Sequence, residues 1–287
     1  MTNQHESQAP KGCPGGAPVS AESKLKDDNI AASLASIKHK LLVMSGKGGV
    51  GKSSVSAGMA IRLAAAGHRV GLLDVDIHGP SLAGIMGVKG LMDVTEDKKV
   101  CPIKVQDNLK VVSMQSLMRD SDQAVIWRGP AKTGVIRQFI GDVQWESLDF
   151  LIIDAPPGTG DEPLSVAQTI PDAKAVIITT PQDVALSDVR KSINFCRVIQ
   201  MDVIGLIENM GPFACPCCGE PLSLFKSGGG QATAKKMQIP FLGTLPFDAK
   251  VVQACDAGQP MRLQSEASQF ISALDGVVSK IRTALSP

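Results

Sequence analysis

One string, GKGGVGKS at positions 46–53, constrains the fold of this chain more than any other feature. It follows the apolar run Leu41–Met44 and opens the amphipathic stretch Lys52–Ala66. A strand, a glycine-rich turn and a helix in this order form a phosphate-binding loop, because glycines let backbone N–H groups turn inward around phosphate oxygens at the positive end of the helix. The string therefore predicts an α/β fold that binds a nucleoside triphosphate with magnesium.

The side chains of this loop match the parts of a bound nucleotide. We expect Lys52 to reach the β- and γ-phosphates and the Ser53 hydroxyl to ligate Mg²⁺. Lys47 is a second loop lysine, which either is incidental or adds a cation for phosphoryl transfer. The sequence contains no Asn-Lys-x-Asp string for reading guanine, which favours ATP. The predicted nucleotide-binding residues of the loop are Gly46, Lys47, Gly48, Gly49, Val50, Gly51, Lys52, Ser53 and Ser54.

Two further apolar runs end in carboxylates. The run LLDVD ends at Asp76, and Asp74 lies two residues earlier, on the same face of an extended chain. We expect Asp76 to orient the attacking water and Asp74 to be a structural or magnesium-shell partner. The run LDFLIID ends at Asp154, which is predicted to hold Mg²⁺ through water. The predicted catalytic residues are Lys47, Lys52, Asp76 and Asp154.

The order of apolar and amphipathic runs predicts a mainly parallel, doubly wound sheet with helices on both faces. Residues 1–36 are polar and rich in proline and glycine, and we expect a mobile tail there. Residues 37–287 are predicted to form one ATPase domain, with a cysteine-containing insertion at 210–230. The predicted strands are Leu41–Met44, Val70–Leu73, Lys110–Met114, Phe150–Ile153, Ala175–Thr179 and Val203–Ile207. The predicted helices are Lys52–Ala66, Ala131–Val143, Leu164–Thr169, Val184–Ile199, Ala249–Ala257 and Ala267–Leu285.

Composition disfavours several classes of partner. Aromatic residues make up 3% of the chain and tyrosine is absent, which leaves few stacking platforms for unpaired bases. The net charge of +1 gives no general attraction to DNA or anionic membrane. We find neither a signal peptide nor a membrane-spanning run, and the last helix is expected to pack on the domain rather than on lipid. These features predict a cytoplasmic protein with no nucleic-acid partner and no stable membrane association.

A C-x-x-C pair, Cys215 and Cys218, lies in the proline- and glycine-rich insertion. Two thiolates at this spacing can share one metal, whereas zinc or a cubane cluster takes four ligands. The missing ligands come either from other cysteines of the chain or from the same pair in a two-fold dimer. Zinc and thiol redox chemistry remain alternatives, and Cys217 is either a substitute ligand or a bystander. The other cysteines are Cys13, Cys101, Cys196 and Cys255, of which the last three are expected to be structural.

Taken together, these strings resemble the Mrp-type iron–sulfur cluster carriers (ApbC and Nbp-related proteins), a branch of the MinD/ParA-like P-loop NTPases. The resemblance covers residues 37–257. The Lys47 position is typical of the wider class that includes MinD, ParA, the arsenite pump and the nitrogenase iron protein. The strings that carry the resemblance are Ser45–Ser53, Leu72–Ser81, Trp127–Pro130, Leu148–Asp161, Thr180–Leu186, Glu208–Met210 and Cys215–Gly219.

The resemblance implies a homodimer that holds a [4Fe–4S] cluster between subunits through Cys215 and Cys218 of each chain. It also implies ATP hydrolysis coupled to loading the cluster or delivering it to apo iron–sulfur proteins. Lys47 would touch the nucleotide of the partner subunit. Asn209, Pro246 and Asp248 would lie near the adenine, although Asn209 at a strand end is also a common turn former.

The sequence departs from the family pattern at two places. Longer relatives carry four cysteines in the N-terminal segment, whereas Cys13 is alone here. His78 occupies a position that is often tyrosine, and we assign it no role. Two other functions fit the phosphate loop: a spatial-organiser ATPase and a nucleotide-gated electron-transfer protein. The first leaves the cysteine pair unexplained, and the nitrogenase iron protein, the model for the second, has its ligating cysteines far apart in sequence.

Overall fold

The computed structural model describes residues 30–76, 79–97, 99–117, 129–215, 217–260, 262–265 and 268–286. Eight strands form one sheet in the order β10-β7-β6-β1-β5-β2-β4-β3, and β8 pairs with β9 in a separate hairpin. The strands are β1 Ile37–Ser45, β2 Val70–Asp74, β3 Ile103–Gln106, β4 Leu109–Ser113, β5 Leu148–Asp154, β6 Lys174–Thr179, β7 Val203–Gly211, β8 Phe213–Ala214, β9 Pro221–Leu222 and β10 Phe241–Pro246.

Helices cover both faces of this sheet. A first helical segment, α1, includes residues 30–35, and a 3₁₀ turn spans Met114–Leu117. The remaining helices are α2 Lys52–Ala65, α3 Leu82–Ile85, α4 Gly129–Asp142, α5 Asp161–Thr169, α6 Asp183–Val198, α7 Gly229–Lys236, α8 Ala249–Asp256, α9 Arg262–Ser265 and α10 Gln269–Leu285.

The sheet is parallel except at β3, which runs antiparallel to β4 at one edge. The central strand β1 shows why the sheet needs two helical layers. Leu42 and Met44 belong to the core under α4–α7, whereas Leu41 and Val43 belong to the core under α2 and α10. Successive residues of a strand face opposite sides, so a strand that is apolar at every position is buried on both faces. The predicted doubly wound architecture is confirmed.

The six predicted strands and six predicted helices are present, with ends that differ by up to four residues. Two sheet strands were missed, β3 and β10. Both lie at sheet edges, where half-buried positions interrupt the apolar pattern. Helix α7, with the sequence GGQATAKK, was also missed because it begins with glycines and carries no apolar stripe.

The predicted domain boundary at residue 37 requires correction. Ile30 and Leu34 on α1 are buried in the core with α4. A Cβ atom on Gly141 would lie 2.5 Å from Cγ1 of Ile30, so the two helices are in close contact. The folded body therefore includes residues 30–36, which the polar composition of the segment had hidden. The rest of the predicted tail, with Cys13, lies outside the described residues, as do His78 and the Trp127–Arg128 pair.

The last helix packs on the domain, as predicted. Its apolar face, which includes Phe270, Leu274 and Ile281, is buried in the core beside α2 and β10. Within the described residues, no helix combines the length and the apolar character needed to cross a bilayer.

Candidate functional site

The phosphate loop leaves the carboxyl end of β1, near the middle of the sheet, and leads directly into α2. Gly49 and Gly51 have φ of 78° and 79°, a left-handed conformation that glycine adopts without strain. Gly46 is needed for a different reason: a Cβ atom there would lie 2.4 Å from the backbone carbonyl carbon of Asp188 on α6. The loop therefore presents its backbone N–H groups around an open turn at a helix N-terminus, which suits a phosphate chain.

Asp154, at the end of β5, gathers three donors from the first turns of α2. Its Oδ2 accepts a hydrogen bond from Ser53 Oγ at 2.6 Å and lies 2.8 Å from Lys52 Nζ. Its Oδ1 accepts a hydrogen bond from Ser56 Oγ at 2.7 Å. The Asp154 side chain is 1% exposed and that of Lys52 is 8% exposed. A hydroxyl and a carboxylate beside a lysine have the composition of a magnesium–phosphate site, so the residues present fit Mg²⁺ with a nucleotide.

Asp74 lies beside Asp154 on the neighbouring strand β2 and is fully buried. Its Oδ1 accepts from the backbone N–H of Asp76 at 3.1 Å, and its Oδ2 accepts from Leu82 N at 3.2 Å and from Ser113 Oγ at 3.0 Å. Burial and the charge of Asp154 raise the pKa of Asp74 to about 7. These contacts hold the connection between β2 and α3, which carries Asp76. The carboxylate of Asp76 accepts from Gly79 N at 3.0 Å.

Lys47 is turned away from this acidic pair. Its Nζ donates to Oε1 of Gln182 at 3.3 Å, and Gln182 is the N-cap residue of α6. The two loop lysines therefore have separate environments, with Lys52 buried against Asp154 and Lys47 half-buried at the start of α6. Of the two, Lys52 is the lysine whose Nζ contacts the acidic side chain at the end of β5.

The residues predicted to lie near the adenine do come together. A cavity of about 70 Å³ next to the loop is lined by residues that include Gly51, Ser54, Asn209, Pro246 and Asp248. Asn209 is buried, and its Nδ2 donates to the backbone oxygen of Val50 at 2.9 Å. Phe247, which lies between Pro246 and Asp248 in the predicted segment, also lines the cavity, whereas sequence reasoning missed Met210, Val251, Val252 and Phe270.

The cysteine pair lies in the connection 212–228 between β7 and α7, which we call the cysteine segment. Its turn is closed by hydrogen bonds from Gly219 N to Cys215 O and from Cys215 N to Glu220 O, both at 2.8 Å. Cys215 is half-buried, and Cys217 and Cys218 are exposed. Hydrogen bonds from the backbone N–H groups of Cys218 and then Cys217 lower the pKa of Cys215. A lowered pKa favours the thiolate, which is the form that binds metals.

The cysteine segment lies at the same edge of the sheet as the phosphate loop. The loop follows β1 and the segment follows β7, and β6 alone separates these two parallel strands. The carboxyl ends of parallel strands meet at one edge, where open α/β sheets bind their ligands. Within the described residues, no group of three or more His, Cys, Asp or Glu side chains is arranged to hold a metal ion.

Two other cysteines are confirmed as core residues. Cys196 is fully buried, with its Sγ 3.8 Å from Sδ of Met44, and burial raises its pKa to about 11. Cys255 is also buried, and burial raises its pKa. Cys101 is half-buried and lies in the connection between α3 and β3. Strand β3 forms one edge of the sheet, whereas β7, which leads into the cysteine segment, lies next to the other edge strand, β10.

Sequence reasoning missed three contacts at this edge. Ser56 follows Lys52 by one helical turn, so the spacing along α2 could have identified it. Gln182 and the fully buried Glu208 lie in strings that were noticed, but their partners are distant in sequence. Only the strand order brings those partners together, and no local pattern encodes the strand order.

Comparison with known proteins agrees with this architecture. The ParA-type family model described as NUBPL iron-transfer P-loop NTPase matches residues 36–282. An iron-sulfur cluster carrier protein of Methanocaldococcus jannaschii is 43% identical over 259 residues, which cover 89% of each chain. A cytosolic Fe-S cluster assembly factor, the Nubp1 homolog of Drosophila pseudoobscura pseudoobscura, is 42% identical over 289 residues, covering 96% of this chain and 92% of that protein.

Two solved structures show the same fold. The nucleotide-binding protein from Archaeoglobus fulgidus, in complex with ADP, has a TM-score of 0.73 and 38% identity, covering 85% of this chain and 95% of its own. The cell division ATPase MinD of Pyrococcus furiosus has a TM-score of 0.63 and 21% identity, covering 86% and 99%. The predicted class of fold, that of MinD and ParA, is therefore confirmed.

Proposed function

Because the chain belongs to the NUBPL iron-transfer P-loop NTPase family, we propose that it is an ATPase that carries an iron–sulfur cluster to apo-proteins. The observation that carries the proposal is a juxtaposition at one edge of the sheet. The Gly46–Ser53 loop and the exposed C-x-x-C turn follow strands separated by one neighbour. A nucleotide and a metal-binding thiolate pair would thus occupy adjacent positions on the same chain.

The nucleotide part of the proposal assigns roles to the residues around Asp154. Lys52 exchanges its ion pair with Asp154 for the β- and γ-phosphates when ATP binds. Ser53 would hold Mg²⁺ directly and Asp154 would hold it through water, and the bound ion would supply positive charge beside the phosphates. Asp76 orients the attacking water. Asn209, Pro246 and Asp248 contact the adenine, since they line the cavity beside Gly51.

The cysteine part assigns the cluster to a site shared by two copies of the chain. A [4Fe–4S] cluster takes four thiolates, and Cys215 with Cys218 supplies two from each copy. In the same dimer, Lys47 leaves Gln182 and contacts the partner's nucleotide, as the family resemblance implies. The cluster is cargo, which apo iron–sulfur proteins of the cytoplasm receive. ATP hydrolysis in such a carrier is slow and is coupled to loading or transfer of the cluster.

The experiment that tests this proposal is anaerobic reconstitution with iron and sulfide. Iron content, visible absorbance and oligomeric state are measured for the wild type and for Cys215→Ala/Cys218→Ala. Transfer to an apo-acceptor is then followed with and without ATP. We expect a cluster-bearing dimer that loses its iron in the double variant. Cys101→Ala is the matched control, because this half-buried cysteine lies outside the segment and its removal is expected to leave the cluster in place.

An iron-free wild-type protein with intact ATPase activity would contradict the carrier function. A cluster that stays bound and cycles between redox states in the presence of apo-acceptor would instead favour electron transfer.

A further inference from the structure

The carboxyl end of β7 contacts the phosphate loop on one face of the sheet and α7, the helix into which the cysteine segment runs, on the other. Leu206 belongs to the core under α6 and α7, and Ile207 belongs to the core under α2. The alternation continues, so Glu208 faces α7 and Asn209 faces the phosphate loop. Two consecutive side chains on one rigid strand therefore address the two parts of the candidate site.

Asn209 contacts the backbone of the phosphate loop. Its Nδ2 donates to Val50 O at 2.9 Å, and a Cβ atom on Gly51 would lie 2.3 Å from the same nitrogen. Asn209 also lines the cavity assigned above to the adenine. A nucleotide would therefore act on this side chain both through the loop backbone and through the base.

Glu208 binds the first turn of α7, the helix that directly follows the cysteine segment. It is fully buried, and its Oε2 accepts a hydrogen bond from the backbone N–H of Gly230 at 2.5 Å, in the first turn of α7. Its Oε1 accepts from Thr244 Oγ1 on β10 at 3.3 Å. A carboxylate at a helix N-terminus is favoured by the orphan N–H groups and by the helix dipole. The approach is close, since a Cβ atom on Gly230 would lie 2.9 Å from Cβ of Glu208.

The other polar contact at this end of the segment is exposed. Lys226 Nζ lies 2.6 Å from Asp183 Oδ2, but the two side chains are 76% and 73% exposed. Exposed ion pairs are screened by solvent and fix little. Glu208 thus provides a buried polar contact between the strand that carries Asn209 and the helix into which the cysteine segment runs.

We propose that Glu208 is a positioning residue that couples the nucleotide site to the cysteine segment, so that nucleotide binding at Asn209 changes the exposure of Cys217 and Cys218. The proposal rests on the proposed function, because it supplies the mechanical link between ATP and cluster. It needs no new ligand and no chemical step. A small shift of β7 is transmitted because Glu208 holds Gly230, and the segment ends at Gly228, which has φ of 77° as the N-cap of α7.

The test measures thiol reactivity in the protein without iron. Alkylation rates of Cys217 and Cys218 by iodoacetamide are read by peptide mass spectrometry, with and without Mg²⁺ and a non-hydrolysable ATP analogue. We expect the nucleotide to change the wild-type rates by about 5-fold or more, the lower end of typical allosteric coupling. The methionine side chain of Glu208→Met has a similar length but does not accept the hydrogen bond from Gly230 N. In this variant we expect each thiol to react at the same rate with and without the nucleotide.

Matched variants separate coupling from folding. Glu208→Gln keeps an acceptor for Gly230 N and can donate to the Thr244 hydroxyl, so it is expected to preserve the nucleotide effect. Lys226→Ala removes the exposed ion pair of the same segment and is also expected to preserve it. Gly230→Ala keeps the glutamate, but its Cβ atom would lie 2.9 Å from both Cβ and Oε2 of Glu208, so the side chain must move off Gly230 and the effect is expected to be abolished. This variant tests the contact from the other side should Glu208→Met fail to fold.

The proposal is overturned if Glu208→Met and Gly230→Ala respond to nucleotide as the wild type does. It is equally overturned if the wild-type thiols do not respond at all, whereas the carrier function stands or falls on the iron content of the reconstituted protein. Nucleotide affinity, measured by titration with a fluorescent ATP analogue, is expected to stay within about 3-fold in Glu208→Met, since coupling and intrinsic affinity are separate quantities.

Discussion

The phosphate loop and the cysteine segment lie at the same edge of one sheet, but they are built in opposite ways. Around the loop, Asp154 is 1% exposed and has hydrogen bonds or ion pairs with Ser53, Ser56 and Lys52. In the segment, Cys217 and Cys218 are exposed, and the turn is closed by backbone hydrogen bonds and by N–H groups that donate to the Cys215 thiol. The side chains gathered around Asp154 all come from one chain. The segment displays thiols outward, as a site that is completed by another molecule would.

This contrast has a physical basis. Charged and polar groups in a core must satisfy one another, because an unpaired buried group costs free energy. The loop side chains are therefore fixed by their neighbours even without a nucleotide. Exposed thiols have no such constraint, so their position follows from where the ends of the segment are fastened. Glu208 and the ring contact between Phe213 and Phe247, with centroids 5.4 Å apart, provide those fastenings.

The largest expected difference is in thiol reactivity between the core and the segment. Cys196 is fully buried and its pKa is raised to about 11, so it reacts only when the protein opens. The pKa of Cys215 is lowered and its neighbours are exposed. At neutral pH we expect alkylation of Cys217 and Cys218 to be at least about 10³-fold faster than that of Cys196, the lower end of folding equilibrium constants. Peptide mass spectrometry after timed alkylation measures both rates in one sample.

Rapid modification of Cys196 under native conditions would break the comparison, because it would show that the core beside Met44 opens easily. A control in denaturant, where all cysteines are accessible, gives the intrinsic rate of each thiol.

The second expected effect separates the two regions by function. Lys52→Ala removes the buried cation that is proposed to meet the phosphates, and we expect ATP hydrolysis to fall about 10²–10³-fold, as when one transition-state donor is removed. Iron binding after reconstitution is expected to be unchanged, because the Lys52 side chain is buried against Asp154 on β5 and the exposed thiols lie on the connection that follows β7. Phosphate release and iron content measure the two outcomes. Lys104→Ala, an exposed lysine paired with Asp107 near the opposite sheet edge, is the matched control.

If Lys52→Ala also lost its iron, the two regions would not be independent in assembly, and the nucleotide would have to act before the cluster is loaded.

The sequence predicts the phosphate loop better than it predicts the contacts that hold the cysteine segment. The roles expected at the loop depend on short spacings, so Lys52, Ser53 and Asp154 were found by motif and then located together by the parallel strands. The pairing of Glu208 with Gly230, or of Lys47 with Gln182, requires the order β7-β6-β1, which no local pattern specifies. The same limit explains why α1 was not predicted as part of the domain. Its composition is that of a polar tail, and Ile30 is seen to be buried only once α4 is packed against it.

The smallest expected effect is on the free energy of unfolding, when a hydroxyl near the loop and a thiol of the segment are each replaced. Ser56 is fully buried, and its hydroxyl lies 2.7 Å from Asp154 Oδ1 and 2.9 Å from Lys52 O, two acceptors that share its single proton. In Ser56→Ala the carboxylate loses a donor, and we expect the free energy of unfolding to fall by about 1–3 kcal/mol. Cys217→Ser changes an exposed side chain with no core partner, and surface changes of this kind shift stability by no more than about 0.5 kcal/mol. Urea denaturation followed by circular dichroism measures both changes. Equal losses in the two variants would mean that the segment is packed as tightly as the loop, and an outward-facing thiol site would then no longer fit the molecule.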